Sequence, residues 1–361
     1  MRLIKSWYSN FLLPTSILVD LIIGAGVFTL PYIFTQSGFF LGFLYLIIFG
    51  ILALFVHLMY AEIVVKTKER HRLVGYANLY LGKWGFYPAL FMVIVGDVLV
   101  LGVFLILGIS FFSLVWAPPI WLQLLILWGL GSVFIFVSKN LMAESEFFLN
   151  DGLFLGILTI FLLIFGNLEE NIHQLSFFNF KNILLPLGPI AFSFLGIQAI
   201  PLVIDYFKDD TKNTMSKEYL WEGRVIVFGT LIPIIFYALF TVAVFASSQE
   251  VSPDSISGLI GKIASPALII VGLFGIVNLR SSYTIIGRNI RDSLVYDLGW
   301  KSSLASFLII PLPLLVFYFF QGKLIELVSF IGDFIILGYI LLIVLIWLRV
   351  RKKDARKIFL G

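Results

Sequence analysis

Cysteine is absent from the 361 residues, so the chain has no disulfide framework, no thiolate metal site and no thiol nucleophile. Histidine is nearly as scarce: His57, His71 and His173 stand far apart, with no metal-ligand spacing. Charge is thin as well. Asp, Glu, Lys and Arg make up 13% of the sequence, about half the share of a water-soluble domain. No HExxH run, nucleophile–base arrangement or phosphate-cradling glycine loop occurs, which argues against the common hydrolase and transferase chemistries. No Gly/Ser-rich linker or block of like charge divides the chain into domains, and no cofactor, metal or nucleic-acid partner is expected.

What is present is apolar. Hydrophobic types reach 60%, and the mean hydropathy is +1.04. One water-soluble core cannot hide such an excess, so the solvent it calls for is a lipid bilayer. Ten apolar stretches of membrane-crossing length lie near 13–34, 38–65, 88–112, 120–138, 149–166, 184–206, 224–247, 264–288, 302–320 and 324–348. The basic start and apolar run at the N-terminus resemble a signal peptide. The apolar region continues to about Phe34 without a small-residue cleavage site, so it reads as the first span.

Lys and Arg set the expected orientation. With the N-terminus in the cytoplasm and the spans alternating, Lys181, Lys262 and Lys323 fall outside and Arg280 falls within a span. The other 21 of the 25 basic residues are cytoplasmic. Both termini are therefore expected in the cytoplasm, in the cell membrane. Residues 72–84 are amphipathic and expected along the membrane surface, and 349–361 form a basic tail.

Two spans carry the same interruption. The first contains Gly26-Val-Phe-Thr-Leu-Pro31 and the sixth Gly196-Ile-Gln-Ala-Ile-Pro201. Each opens a set of five spans, and five is odd, so the halves run in opposite topology. That is the pattern of an inverted repeat with discontinuous helices, here 13–166 and 184–348 within a single domain. Glycine leaves helical geometry at little cost, and proline removes an N–H and clashes with the preceding turn. The peptide groups so exposed need a polar ligand, an ion or water, since lipid offers no hydrogen bonds.

The stretch Ile22 to Gly38, IIGAGVFTLPYIFTQSG, resembles the first span of the amino acid/auxin permease family of the APC superfamily. Phe192 to Pro201, FSFLGIQAIP, resembles its sixth span, and the KDDTKN that follows resembles its next loop. Two features depart from the pattern: ten spans where many members have eleven, and Leu195 where Gly or His is usual. The resemblance implies an all-α membrane protein with a LeuT-type fold, ten transmembrane helices in a 5+5 inverted repeat with helices 1 and 6 broken. It implies secondary transport of amino acids by alternating access, coupled to H⁺ or Na⁺, with spans 1, 2, 6 and 7 rocking against spans 3, 4, 8 and 9. Gly24, Ala25 and Gly26 would offer N–H groups to the substrate carboxylate, and carbonyls near Phe192, Ser193 and Phe194 would take its amine. Phe28, Phe192, Phe194 and Leu195 would shape the side-chain pocket, which suits a neutral, apolar or aromatic amino acid, while Gly196 would give the backbone freedom.

Charges within spans are costly and therefore informative. Glu62 and Glu326 lie close enough to a span end to reach the interface, whereas Asp333 lies deeper. Asp20, four residues before Gly24, and Arg280, just before Ser281 and Ser282, fall where sodium-coupled relatives build a Na⁺ site. Arg280 would there act as a built-in cation paired with Asp20, leaving transport independent of Na⁺, or the pair fixes helix register. Asp20 or Asp97 would titrate if H⁺ is coupled, and Asp97 could instead face the substrate amine. The serines could equally bond their own helix carbonyls. His57 reads as a packed helix residue. A sensor that keeps the carrier fold without transporting stays open, and the sequence sets no oligomeric state.

Overall fold

The computed structural model describes residues 8–136, 155–156, 158–159, 176–210, 215–248 and 250–360, and the regular structure among them is helical. Eight of its helical stretches are long and apolar enough to cross a membrane. The shorter apolar helix Ile120–Phe136 matches the expected fourth span. The expected fifth, 149–166, lies almost wholly outside the described residues.

The order is α1 (Leu13–Ile23), α2 (Leu30–Ser37), α3 (Phe39–Lys66), α4 (Leu73–Leu81), α5 (Lys83–Val115) and α6 (Ile120–Phe136). It continues with α7 (Leu187–Ser193), α8 (Ile200–Asp210), α9 (Met215–Ser247), α10 (Ser265–Asp297), α11 (Ser302–Phe320) and α12 (Leu324–Lys353). The expected span near 302–320 is interrupted around Ile310 and Pro311, and the basic tail prolongs α12 as helix to Leu360. Helix α4 buries Leu73, Val74, Tyr76 and Ala77 against the body of the protein and leaves Asn78 and Leu79 exposed, the two faces of an amphipathic segment.

Both predicted interruptions are present. Helix α1 stops at Gly24, whose φ of 25° and ψ of −134° lie in territory that favours glycine. A 3₁₀ turn, Gly26–Phe28, follows, and α2 restarts with Pro31 in its first turn, where the missing N–H costs nothing. The second break repeats the device: α7 ends at Ser193, a 3₁₀ turn spans Ile197–Ala199, and Pro201 sits in the first turn of α8.

Helices α5 and α10 form the most extensive pair among the described residues. Gly275 permits it, since a Cβ there would lie 2.2 Å from the Phe111 ring. The outer face of α3 exposes Phe40, Ile47, Ile51 and Phe55, as a lipid-facing helix does. Two π-helical stretches, Met92–Gly96 in α5 and Ile331–Ile336 in α12, pack on each other, with Gly96 against Ile335. Such bulges re-aim the side chains that follow them.

Candidate substrate and ion site

The two breaks meet. A Cβ on Gly26 would come within 2.3 Å of Ser193 Cα, so only glycine lets the first interruption press against the second. The C-terminal ends of α1 and α7 point their carbonyls into this junction, and the Tyr237 hydroxyl, from α9, donates toward both Ile22 O and Ser193 O. One phenolic proton can serve one acceptor at a time. Ile22 O and Ser193 O, each at a helix end that carries partial negative charge, therefore share a single side-chain donor.

Beside the junction, Phe28 is fully buried at the centre of an aromatic cluster. Its ring meets Phe111 at 4.4 Å and Phe240 and Phe274 at 5.7 Å, each edge-on. Gly24, Ala25, Gly26, Phe192, Ser193, Phe194, Leu195 and Gly196 are all buried around the same junction. Phe194 belongs to a different wall from Phe28. It packs on Tyr237 at 5.7 Å and lines an apolar recess with Val56, His57 and Ile340.

Asp20 sits at the end of α1. Its Oδ1 accepts from Asn278 Nδ2 at 3.2 Å, its backbone O accepts from Ser282 Oγ at 3.1 Å, and Ser281 also faces its carboxylate. Arg280 contributes positive charge to this corner but makes no hydrogen bond to Asp20; its guanidinium lies 4.5 Å over the Phe134 ring. Asp97 lies apart from both, held by Gln198, Asn289 and Tyr339. His57 Nδ1 meets the Thr230 hydroxyl at 2.9 Å, a packed, hydrogen-bonded role. Glu62 is met by Lys66 at 2.8 Å, Trp347 at 2.6 Å and Arg351 at 3.2 Å, as a carboxylate near a span end requires.

At the end of the molecule where α4 begins, Arg72 is only 1% exposed. Its Nη1 donates to Asp205 of α8 at 3.2 Å and its Nη2 to Asp292 of α10 at 2.8 Å. Burial disfavours the charged guanidinium, but Asp292 and Asp205 together outweigh it and hold Arg72 well above its ordinary range. His71 bonds Asp297 at 3.0 Å, and that carboxylate raises the imidazole above its ordinary range despite partial burial.

Sequence reasoning missed Tyr237, Gln198, Asn278, Asn289, Tyr339 and Arg72. The asparagines and Gln198 carried a signal, as isolated polar side chains within apolar spans. Arg72 carried none, standing among other basic residues of a loop.

The model of the tryptophan/tyrosine permease family matches residues 8–359. The chain belongs to that family. The match overturns the resemblance to the amino acid/auxin permeases, and the reason is physical. Motifs such as Gly24–Pro31 and Gly196–Pro201 encode a backbone interruption, which any carrier with broken helices needs, so they report on the device and not on the family. No curated protein matches the permease in sequence. In structure it is similar to Mhp1, described as a nucleobase-cation-symport-1 family transporter, in a closed conformation with bromovinylhydantoin bound. The TM-score is 0.64 at 12% identity, over 88% of this chain and 74% of that one. The inward-facing conformation of Mhp1 matches with a TM-score of 0.60 at 12% identity, over 89% and 72%. At that identity the likeness speaks for the fold alone. Family and fold make the permease an integral membrane transporter and not an enzyme.

Proposed function

We propose that the permease moves an aromatic amino acid, tryptophan or tyrosine, by alternating access around the junction of its two broken helices. The observation that carries this reading is the convergence of Ile22 O and Ser193 O on one hydroxyl, that of Tyr237. A substrate ammonium brings three donors and a positive charge to two helix-end carbonyls that share one side-chain donor between them. The N–H groups of Ala25 and Gly26 take the carboxylate, that of Gly24 being spent on Asp20 O at 3.0 Å, and the rings around Phe28 take the aromatic side chain. Phe192, Ser193, Phe194, Leu195 and Gly196 form the opposing half of the site. The family to which the chain belongs supports the substrate class.

The architecture that goes with this is the ten-span LeuT-type 5+5 inverted repeat, 13–166 and 184–348, with both termini cytoplasmic. Spans 1, 2, 6 and 7 rock against spans 3, 4, 8 and 9. Transport is independent of Na⁺. Asn278 and Ser282 donate to oxygens of Asp20 that a bound cation would need, and the Arg280 charge opposes a second positive charge beside Ser281 and Ser282. Proton coupling then falls to Asp20 or Asp97.

Counterflow in liposomes tests the reading. Preloaded tryptophan or tyrosine should drive entry of its labelled form, with other amino acids competing by aromatic character, equally in Na⁺ and K⁺ buffers. Strict Na⁺ dependence of the wild type, retained in Arg280→Ala, would end the Na⁺-independent assignment. Preference for a small or charged amino acid would end the aromatic one.

A further inference from the structure

Asp97 is a carboxyl group in the middle of a membrane protein with no exposed surface and no cation beside it. It follows the π-helical stretch of α5, and its partners come from three other elements. Gln198 Nε2 donates to Oδ1 at 2.8 Å and Tyr339 OH donates to the same oxygen at 2.9 Å. Asn289 Nδ2 donates to Oδ2 at 2.9 Å. The titratable groups that face it are two phenols, Tyr339 of α12 and Tyr60 of α3. Among the described residues no Lys, Arg or His shares a hydrogen bond or ion pair with it; the buried Arg72 is held by Asp205 and Asp292, and the buried Arg288, beside Asn289 on α10, donates to Phe134 O. Asp20 differs in having the Arg280 charge at hand.

Three neutral donors solvate a carboxylate but do not neutralise it. In a low-dielectric interior the remaining remedy is a proton. Protonation changes the hydrogen-bond arithmetic: one oxygen gains an O–H that needs an acceptor, where three donors now face the carboxyl group. Asn289 lies on α10, half of the most extensive helix pair among the described residues, and Tyr339 lies on α12. Gln198 lies in the 3₁₀ turn between the halves of the sixth span, and its Oε1 is buried with no hydrogen-bond partner. Turned over, its amide presents that oxygen to the new O–H. With Asp97 charged, Gln198 is a charge-assisted donor that ties the unwound segment to α5, α10 and α12; with Asp97 neutral that tie is weaker.

We propose that Asp97 binds and releases the coupling proton, and that Gln198 transmits its charge state to the hinge of the sixth span. The proposal rests on the carrier reading above and adds which of the two carboxyl groups holds the proton and which residue reads it. Three of the roughly four acceptor sites of the Asp97 carboxylate are already filled by Gln198, Tyr339 and Asn289, which leaves little room for a substrate ammonium.

The test uses the full chain in liposomes with labelled tryptophan or tyrosine, and compares uptake driven by an inward proton gradient with exchange in the absence of a gradient. For one proton per substrate, each pH unit of gradient supports about tenfold accumulation in the wild type. Asp97→Asn should lose that accumulation relative to exchange measured in the same vesicles. In parallel, infrared difference spectra of the purified protein should show a carboxylic-acid band that titrates with pH. Asp97→Asn should abolish the band, while Gln198→Leu should keep it and lose the pH dependence of exchange. If Asp97→Asn does not yield monodisperse protein, Asp97→Glu is read instead, with an expected shift in the pH profile of accumulation. Gradient-driven accumulation that survives in Asp97→Asn, a band that persists there, or a pH profile unchanged in Asp97→Glu overturns the proposal. A wild type that exchanges amino acids but ignores the gradient overturns it alone. Failure of the wild type to exchange any amino acid defeats the carrier reading, and the infrared titration then still decides whether Asp97 takes up a proton.

Discussion

At the scale of single residues, the permease concentrates its polarity in a few hydroxyl, amide and carboxyl groups, each tied to a backbone irregularity. Tyr237 is the clearest case, since its one proton stands between two helix-end carbonyls. Tyr237→Phe leaves both without a donor in a buried site, at a cost of about 1–3 kcal/mol. The expected outcome is a lower melting temperature in detergent and a larger upward shift on adding tryptophan or tyrosine than the wild type shows, because the ammonium then supplies the missing donors. A smaller shift would mean that the hydroxyl itself binds the substrate. His71 offers a second test. Its bond to Asp297 holds the folded-state value above the ordinary histidine range, against partial burial. A raised value means that the stabilisation is fully present below the ordinary range and is lost as pH rises through the raised one. The difference in melting temperature between wild type and His71→Gln should therefore be largest in mildly acidic buffer and close as the pH is raised; a gap that widens on the alkaline side contradicts the assignment.

At the scale of elements, the breaks in the first and sixth spans work because each half-helix has its own stop and start. Gly24 or Ser193 ends one half, and Pro31 or Pro201 opens the next. The close approach of Gly26 to Ser193 makes the two breaks one structure. Gly26→Ala puts a methyl group against main-chain atoms that cannot swing away, and overpacking of this kind costs about 1–3 kcal/mol. Counterflow should fall on the order of tenfold or more while the protein still purifies as a single species; uptake at the wild-type rate would show that the breaks need not touch.

At the scale of the whole molecule, Arg72 joins three parts of the chain. It precedes α4 and grips Asp205 on the second half of the broken sixth span and Asp292 at the end of α10. Removing Arg72 takes away the cation that joins the two carboxylates and leaves each with a separate, more exposed partner, Arg70 at 3.6 Å from Asp205 and Arg291 at 2.9 Å from Asp292, so the cost falls below the about 3–5 kcal/mol of a buried charge left with no partner. In Arg72→Ala the two aspartates should therefore seek water, opening this end. The absence of native cysteine provides a clean reporter. Val203→Cys on α8, fully buried in the wild type, should become reactive to a membrane-impermeant maleimide in the Arg72→Ala background and stay unreactive without that change. Equal labelling in both would show that the network does not close the molecule.

The sequence alone determined the solvent, the run of apolar helices and the two places where a helix must stop, because hydropathy and the backbone limits of glycine and proline are local properties. It also marked Asp20, Asp97 and Arg280 as expensive, since any charge in an apolar span is. It did not determine the family, because the motifs that suggested one belong to a shared backbone device. Only the tertiary structure decided which polar groups meet. Asp97 is bonded to residues 101, 192 and 242 positions away, and Asp20 to Asn278 across 258. Hydropathy sets that a residue lies within the bilayer but not its depth or the direction it faces; those follow from how the helices pack, through contacts far apart in the chain.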